Sequence, residues 1–459
     1  MKQEKKPLIT SGFTPEEIAE DLAPLVNFQE EGLAKKDLEK MFEKRLIPHF
    51  VRYDLPEFQS LYNCFPEEGA ELGAQLSLRY NQGVTNWIVS PGGVLLEELC
   101  CQALCRLFGL SASADATFMY CGTYANQQAI YLALHRHAER TGFNLAQKGL
   151  SGFPNASKLA VAASQEAHFS VRHALRILGL GEQSLVLIPI DKERRMNPYK
   201  LKALLEEKGD KREIFCVVST AGTTSTGSID PIAAVSDICE HHDVWHHVDG
   251  AYGLAFRLLP KLASRFEGIE RADSLVWDPH KQFGVPIPNS LLFVRKKEDF
   301  DRMAIYGEYF NRKDDPEPNP GFKSPPSTRP LSALPLVAAI RFQGMKRIRE
   351  RLGAPLKAVR KTWEKLDSHP DFQRLHTPDT GILCLRIVPE KFPAAELDNL
   401  QKYIYEDIKK EGRRSVSMTR LNGKYALRIV AISPCVTEEA VWETIISIRR
   451  TARKYSFTV

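Results

Sequence analysis

Short apolar runs alternate with stretches of helical periodicity through the middle of this chain. Ala116–Cys121, Leu159–Ser164, Leu185–Ile190, Ile214–Ser219, Val244–Val248 and Ser274–Trp277 are the runs; Asn126–Arg140, Phe169–Leu178 and Ile232–His242 are helical stretches between them. Runs that lack a polar alternation are buried on both faces, so the series predicts an α/β fold with a mostly parallel sheet flanked by helices. Ligands of such sheets sit in loops at the carboxyl ends of the strands.

The flanks differ from this core. Residues 1–75 carry charged helical patterns broken by Pro, and they read as an N-terminal arm suited to a partner subunit. A large domain over 76–345 and a small C-terminal α+β domain over 346–459 complete the expected organisation. Asp314–Pro330 is rich in Pro and charge and reads as a long loop, with a helix running from Leu331 towards His369. The small domain is expected to hold a strand over Ile382–Val388, a helix over Ala394–Lys410, a hairpin turning at Asn422-Gly423 and a closing helix over Glu438–Arg453.

Composition removes several classes of function. The net charge is only +5 across 459 residues, and basic side chains are interspersed with acids, so nucleic acid is not an expected partner. No apolar run is long enough to span a bilayer, and no apolar segment of a secretory signal follows MKQEKKPLIT. Nine cysteines without a CxxC pair resemble neither a disulfide framework nor a metal site, which suits reduced thiols in a cytoplasmic protein.

The chemistry concentrates at strand ends. HVDGAYG (His247–Gly253) follows one apolar run, and the lysine of SLVWDPHKQFG (Ser274–Gly284) follows the next, 32 residues beyond Asp249. An acid and an amine delivered to one sheet edge serve each other through a ring: the lysine forms an imine, and the carboxylate keeps a pyridine nitrogen protonated as an electron sink. Taken singly, an Asp after a strand is more often a cap and a Lys more often surface. The polar cluster Trp277-Asp278-Pro279-His280-Lys281 in apolar surroundings is what the bland reading leaves unexplained.

Three further segments fit. In MYCGTYANQQAI a strand gives way to Gly122, Thr123 and a helix, and backbone N–H groups at a helix start form an anion site for a cofactor phosphate. His168 follows the run Leu159–Ser164, where a flat imidazole can stack on a ring. Thr220, in STAGTTSTGSIDP, places a hydroxyl at another strand end. Each alone is more often a simple turn.

In these motifs, together with SPGGVLLEEL, EAHFSV and DPHK, the sequence resembles the group II pyridoxal-phosphate-dependent decarboxylases that act on aromatic amino acids, glutamate and cysteine sulfinate. The likeness runs from about Phe58 to the C-terminus. It implies fold type I (aspartate-aminotransferase-like), pyridoxal 5′-phosphate (PLP) as cofactor, no metal, and a homodimer with shared active sites. It implies roles too: Lys281 as Schiff-base lysine, Asp249 as pyridinium partner, His168 as stacking histidine with Ala251 on the other ring face, and Thr220 at the ring. Gly122, Thr123 and Ser274 become phosphate ligands, and His280 the active-site histidine before the lysine. Asp278 stands where the family often has Asn, which sets a second negative charge near the phosphate. Tyr309 is the candidate acid that returns a proton to the substrate carbon.

The expected reaction is decarboxylation of an L-amino acid to its amine and CO2. Another fold-type-I lyase or an aminotransferase is the alternative, for which Arg428 would be the carboxylate clamp. A non-catalytic scaffold would have been free to lose Lys281 or Asp249, and both are present. Lys323 and Arg329 suit an acidic substrate while Phe65 and Trp87 suit an aromatic one, so the side chain of the substrate stays open.

Overall fold

A computed structural model describes residues 8–207, 212–307, 312–314 and 316–456 of the chain. They form two compact units. The larger comprises residues 66–353 with 378–380, and the smaller joins the described residues up to Phe65 to 354–377 and those from Gly381 onward. The N-terminal segment thus belongs with the C-terminal part: Phe58 bridges to Ser415, and Val430 N–H donates to Gln59 O at 2.8 Å.

The larger unit is built on seven strands: β1 (Asp115–Met119), β2 (Leu159–Ser164), β3 (Leu185–Ile188), β4 (Glu213–Thr220), β5 (Trp245–Asp249), β6 (Ser274–Trp277) and β7 (Ser290–Val294), in the order β1-β7-β6-β5-β4-β2-β3. Neighbours from β6 to β3 are parallel, and β7 runs antiparallel to both β1 and β6. The apolar runs mark six of the strands within a residue or two. The seventh, β7, was not among them, although SLLFV is as continuously apolar as the others. β1, β5, β6 and β7 are buried along their whole length because helices cover both faces.

Two helices matter for the site: α1 (Gly122–Arg140) and α2 (Ser170–Ile177). α1 starts four residues earlier than its periodicity suggested, directly at Gly122. Strands β2, β4, β5 and β6 end at the same sheet edge, where α1 begins and β7 starts at Ser290.

The smaller unit carries a four-stranded sheet ordered β10-β11-β9-β8, with β8 (Phe372–Arg374), β9 (Ile382–Ile387), β10 (Ser417–Leu421) and β11 (Lys424–Val430), all antiparallel. Asn422 and Gly423, both at positive φ, make the two-residue hairpin turn. The expected helix after Leu331 spans Ala333–Lys365 and is interrupted at Gly344, whose φ of 68° lies outside helical space.

Candidate active site

β6 delivers Asp278, His280 and Lys281 from the turn that leaves its carboxyl end. The Asp278 carboxylate is buried and faces three groups: Ser290 Oγ donates to Oδ1 at 2.5 Å, Lys281 Nζ lies 3.2 Å from Oδ2, and His280 Nε2 lies 3.6 Å from it. His280 Nδ1 accepts from Asn289 N–H at 3.2 Å. Burial lowers the His280 pKa, with Asp278 acting in the opposite sense.

β5 delivers Asp249 beside this turn. Its Oδ1 accepts the N–H of Ala251 at 3.1 Å and its Oδ2 accepts Asn126 Nδ2 at 2.9 Å, so both oxygens are held by hydrogen bonds. Ala251 is where the edge is knitted together: its carbonyl accepts Asp278 N–H at 3.1 Å. A Cβ placed on Gly122 would stand 3.3 Å from Ala251 Cβ and 2.8 Å from Asp278 Oδ2. Only glycine leaves that space between the start of α1 and the ends of β5 and β6.

His168 lies in the turn between β2 and α2, where burial lowers its pKa while Asp249 raises it; Lys281 and Asp278 also act on the ring. Its Nδ1 meets Ser170 Oγ at 2.9 Å and Ser170 N–H at 3.2 Å. Glu166 steadies the same turn through an ion pair to Arg194 and a hydrogen bond from Ser225. Thr220 ends β4 next to Asp249 in register, and its buried Oγ1 has no hydrogen-bond partner among the described residues.

Lys281, Asp249, His168, Thr220, Ala251, His280, Gly122 and Thr123 therefore share one edge. Ser274 does not join them. It lies at the opposite end of β6, fully buried, with its hydroxyl bonded to Trp245 Nε1 at 2.8 Å and His247 Nδ1 at 2.8 Å. The expectation that it binds phosphate is corrected by this geometry: a strand that delivers Lys281 from its carboxyl end carries its first residue away from the site. Tyr309 lies outside the described residues. Tyr306 is half exposed, with its ring centroid 5.0 Å from that of Phe322.

The basic residues once considered for an acidic substrate have other partners. Lys323 is ion-paired at 2.7 Å to both Glu98 and Asp115, and Arg329 pairs with Glu97 and donates to Thr117 Oγ1 at 3.0 Å. They fasten the Pro-rich loop to the sheet edge. Arg428, in the smaller unit, donates to Ser417 Oγ at 2.8 Å.

The sequence reading passed over Asn126, Ser170 and Ser290. Asn126 falls one turn into α1 from Gly122, on its buried face, and a polar residue at such a position is the signal that would have found it.

The residues present fit PLP on their own chemistry: an amine beside a carboxylate, a second carboxylate with both oxygens held, a buried hydroxyl lacking a partner among the described residues, and a glycine-made space at a helix start. The first-turn N–H groups of α1 have no intrahelical acceptors and favour an anion.

The chain resembles known proteins over most of its length. The family described as pyridoxal-dependent decarboxylase conserved domain matches residues 15–388. An L-2,4-diaminobutyrate decarboxylase of Rhizobium meliloti (strain 1021) is 31% identical over 379 residues, 82% of this chain and 73% of that protein. An aromatic-L-amino-acid decarboxylase of Bacillus atrophaeus is 25% identical over 94% of this chain and 88% of its own. Among solved structures, the glutamate decarboxylase domain of diaminobutyrate-pyruvate transaminase and L-2,4-diaminobutyrate decarboxylase from Vibrio parahaemolyticus superposes with a TM-score of 0.87 at 25% identity, covering 98% of this chain and 92% of that one.

Proposed function

Because this chain belongs to the pyridoxal-dependent decarboxylase family, we propose that the cluster around Lys281 and Asp249 is the centre at which it decarboxylates an L-amino acid to an amine and CO2. The observation that carries the assignment to these residues is the convergence of the Lys281–Asp278 pair and the doubly held Asp249 carboxylate at one sheet edge.

PLP, when bound, supplies an electron-withdrawing ring that accepts the electron pair left as a bond at the substrate Cα breaks. Lys281 Nζ would be the amine that holds the cofactor, and the Asp249 carboxylate would hold a proton on its ring nitrogen. His168 and Ala251 would confine the ring, and the Thr220 hydroxyl, without a partner among the described residues, would offer it a polar contact. The first turn of α1, at Gly122 and Thr123, would hold the phosphate. His280, whose pKa burial lowers and whose Nε2 lies towards Asp278, is placed to hold or pass a proton beside Lys281. Orientation of the substrate sets which bond breaks, since only the bond perpendicular to the ring overlaps its π system.

The working form we propose is a homodimer with shared sites. Leu78, Ile88, Leu99, Tyr124 and Phe169 of the larger unit are exposed apolar side chains available to a second copy, and Phe169 adjoins His168. All nine cysteines are free thiols, which suits a reducing, cytoplasmic setting.

The test is a panel of amino acids that includes 2,4-diaminobutyrate, acidic and aromatic members, assayed for CO2 and amine together. Release of both, lost in Lys281→Ala, supports the reading. Pyridoxamine phosphate and a keto acid in their place would overturn it in favour of transamination.

A further inference from the structure

Asp249 is one end of a buried hydrogen-bond chain whose other end is the indole of Trp245. Trp245 Nε1–H donates to Ser274 Oγ at 2.8 Å, and Ser274 Oγ is 2.8 Å from His247 Nδ1. His247 Nε2 is 2.9 Å from Asn126 Oδ1. Asn126 Nδ2 then donates twice, to Asp249 Oδ2 at 2.9 Å and to Ser170 Oγ at 2.8 Å, and Ser170 Oγ is 2.9 Å from His168 Nδ1. Trp245, His247, Asn126, Ser170, Asp249 and Ser274 are all buried, so water is not an alternative partner.

The two ends fix the direction of every link. A carboxylate only accepts, so Asn126 must turn its NH2 to Asp249 and its carbonyl to His247. That carbonyl needs a donor, so His247 carries its proton on Nε2. Its Nδ1 is left bare to accept Ser274 O–H, while Ser274 in turn accepts the indole N–H, which can do nothing but donate. On the other branch Ser170 Oγ accepts from Asn126 and gives its own hydrogen to His168 Nδ1, which also accepts the Ser170 backbone N–H at 3.2 Å. These two donors together hold His168 with its proton on Nε2. Burial supports the neutral forms throughout, since it pushes the His247 pKa down to about 4.

We propose that Asn126 is a positioning residue of this active site, whose single amide holds the carboxylate of Asp249 and orients the Ser170 hydroxyl that meets Nδ1 of His168, with the Ser170 backbone N–H as the second donor to that nitrogen. The proposal rests on Asp249 and His168 being the ring contacts, but the tautomers follow from the protein alone. One amide thus serves two cofactor contacts that come from different strands, and it replaces the phosphate role expected of Ser274 with one in the support of Asp249.

The experiment uses the full chain without cofactor, labelled with 15N-histidine, and reads the ring nitrogens by long-range proton–nitrogen correlation. His168 and His247 are expected as Nε2–H tautomers. Asn126→Ala is expected to shift the His168 ring-nitrogen signals as the Ser170 hydroxyl reorients, with Nε2–H retained through the Ser170 backbone N–H, while those of His280, outside the chain of bonds, stay in place. PLP affinity, titrated by absorbance, should fall roughly tenfold, the size of one hydrogen bond to a charged group. Should Asn126→Ala fail to fold, Ser274→Ala carries the test from the far end: His247 and His168 keep their Nε2–H tautomers, because the Asn126 amide still sets the direction, and the ratio of PLP to pyridoxal affinity stays as in the wild type. An Nδ1–H tautomer at either histidine in the wild type, or unchanged His168 signals in Asn126→Ala, overturns the proposal. So does a Ser274→Ala variant that selectively loses affinity for the phosphate ester. Failure of the wild type to bind PLP would instead strike the cofactor reading and leave the tautomer result standing.

Discussion

Lys281 Nζ stands 3.2 Å from Asp278 Oδ2 inside a single turn of chain, with the carboxylate buried against the glycine that opens α1. The pair has two consequences. It gives the lysine a counter-ion, and it sets a negative charge beside the turn of N–H groups that would take a phosphate.

Asp278→Asn separates these effects. Removing the charge should tighten binding of PLP several-fold, and more than it tightens binding of pyridoxal, which lacks the phosphate. Absorbance titration with both compounds measures the ratio. Equal gains for the two would mean that Asp278 acts on Lys281 alone.

Thr220→Val should leave the cofactor-free protein about as stable as the wild type, within roughly 0.5 kcal/mol, because its buried hydroxyl makes no hydrogen bond among the described residues. Cofactor affinity should weaken. Denaturant melts with and without PLP check this: a large destabilisation without cofactor would show that the hydroxyl supports the fold.

His246 is fully buried between Ser219 Oγ at 2.8 Å and Ser236 Oγ at 3.1 Å, and burial, reinforced by His247, Arg271 and Arg295, lowers its pKa to about 3. Its folded pKa is below the unfolded one, so in acid the unfolded chain binds a proton that the folded chain refuses. Its contribution is complete above about pH 6.5 and is lost at roughly 1.4 kcal/mol per pH unit as pH falls towards 3. Unfolding free energies of the wild type and His246→Gln should therefore converge in acid by that slope. Parallel curves would contradict the neutral, buried histidine.

Lys323→Met leaves Glu98 and Asp115 without their shared cation and should cost about 3–5 kcal/mol of stability. Burial opposes the charge on Lys323, but the two carboxylates outweigh it and hold its pKa above the ordinary value. The relative KM values for acidic and other amino acids should not move. A selective rise for acidic substrates would return Lys323 to the substrate pocket.

Much of this protein was legible in its sequence, for a local reason. A strand buried on both faces has to be a continuous apolar run, so β1 to β6 announced themselves, and residues delivered by strand ends sit next to those runs in the chain. That is why the meeting of Asp249, Lys281, His168, Thr220 and Gly122 at one sheet edge could be expected without a structure. Tertiary structure alone decided what pairs with what. Asn126 meets His247 and Asp249 only because α1 packs on the sheet at one depth, and Ser274 meets Trp245 and His247 only through the register of β5 and β6. Lys323 and Arg329 carry charges that the sequence shows, but their partners Glu97, Glu98 and Asp115 lie some two hundred residues away. Hydrogen bonds and ion pairs act over a few ångströms of space, and separation along the chain does not record that distance.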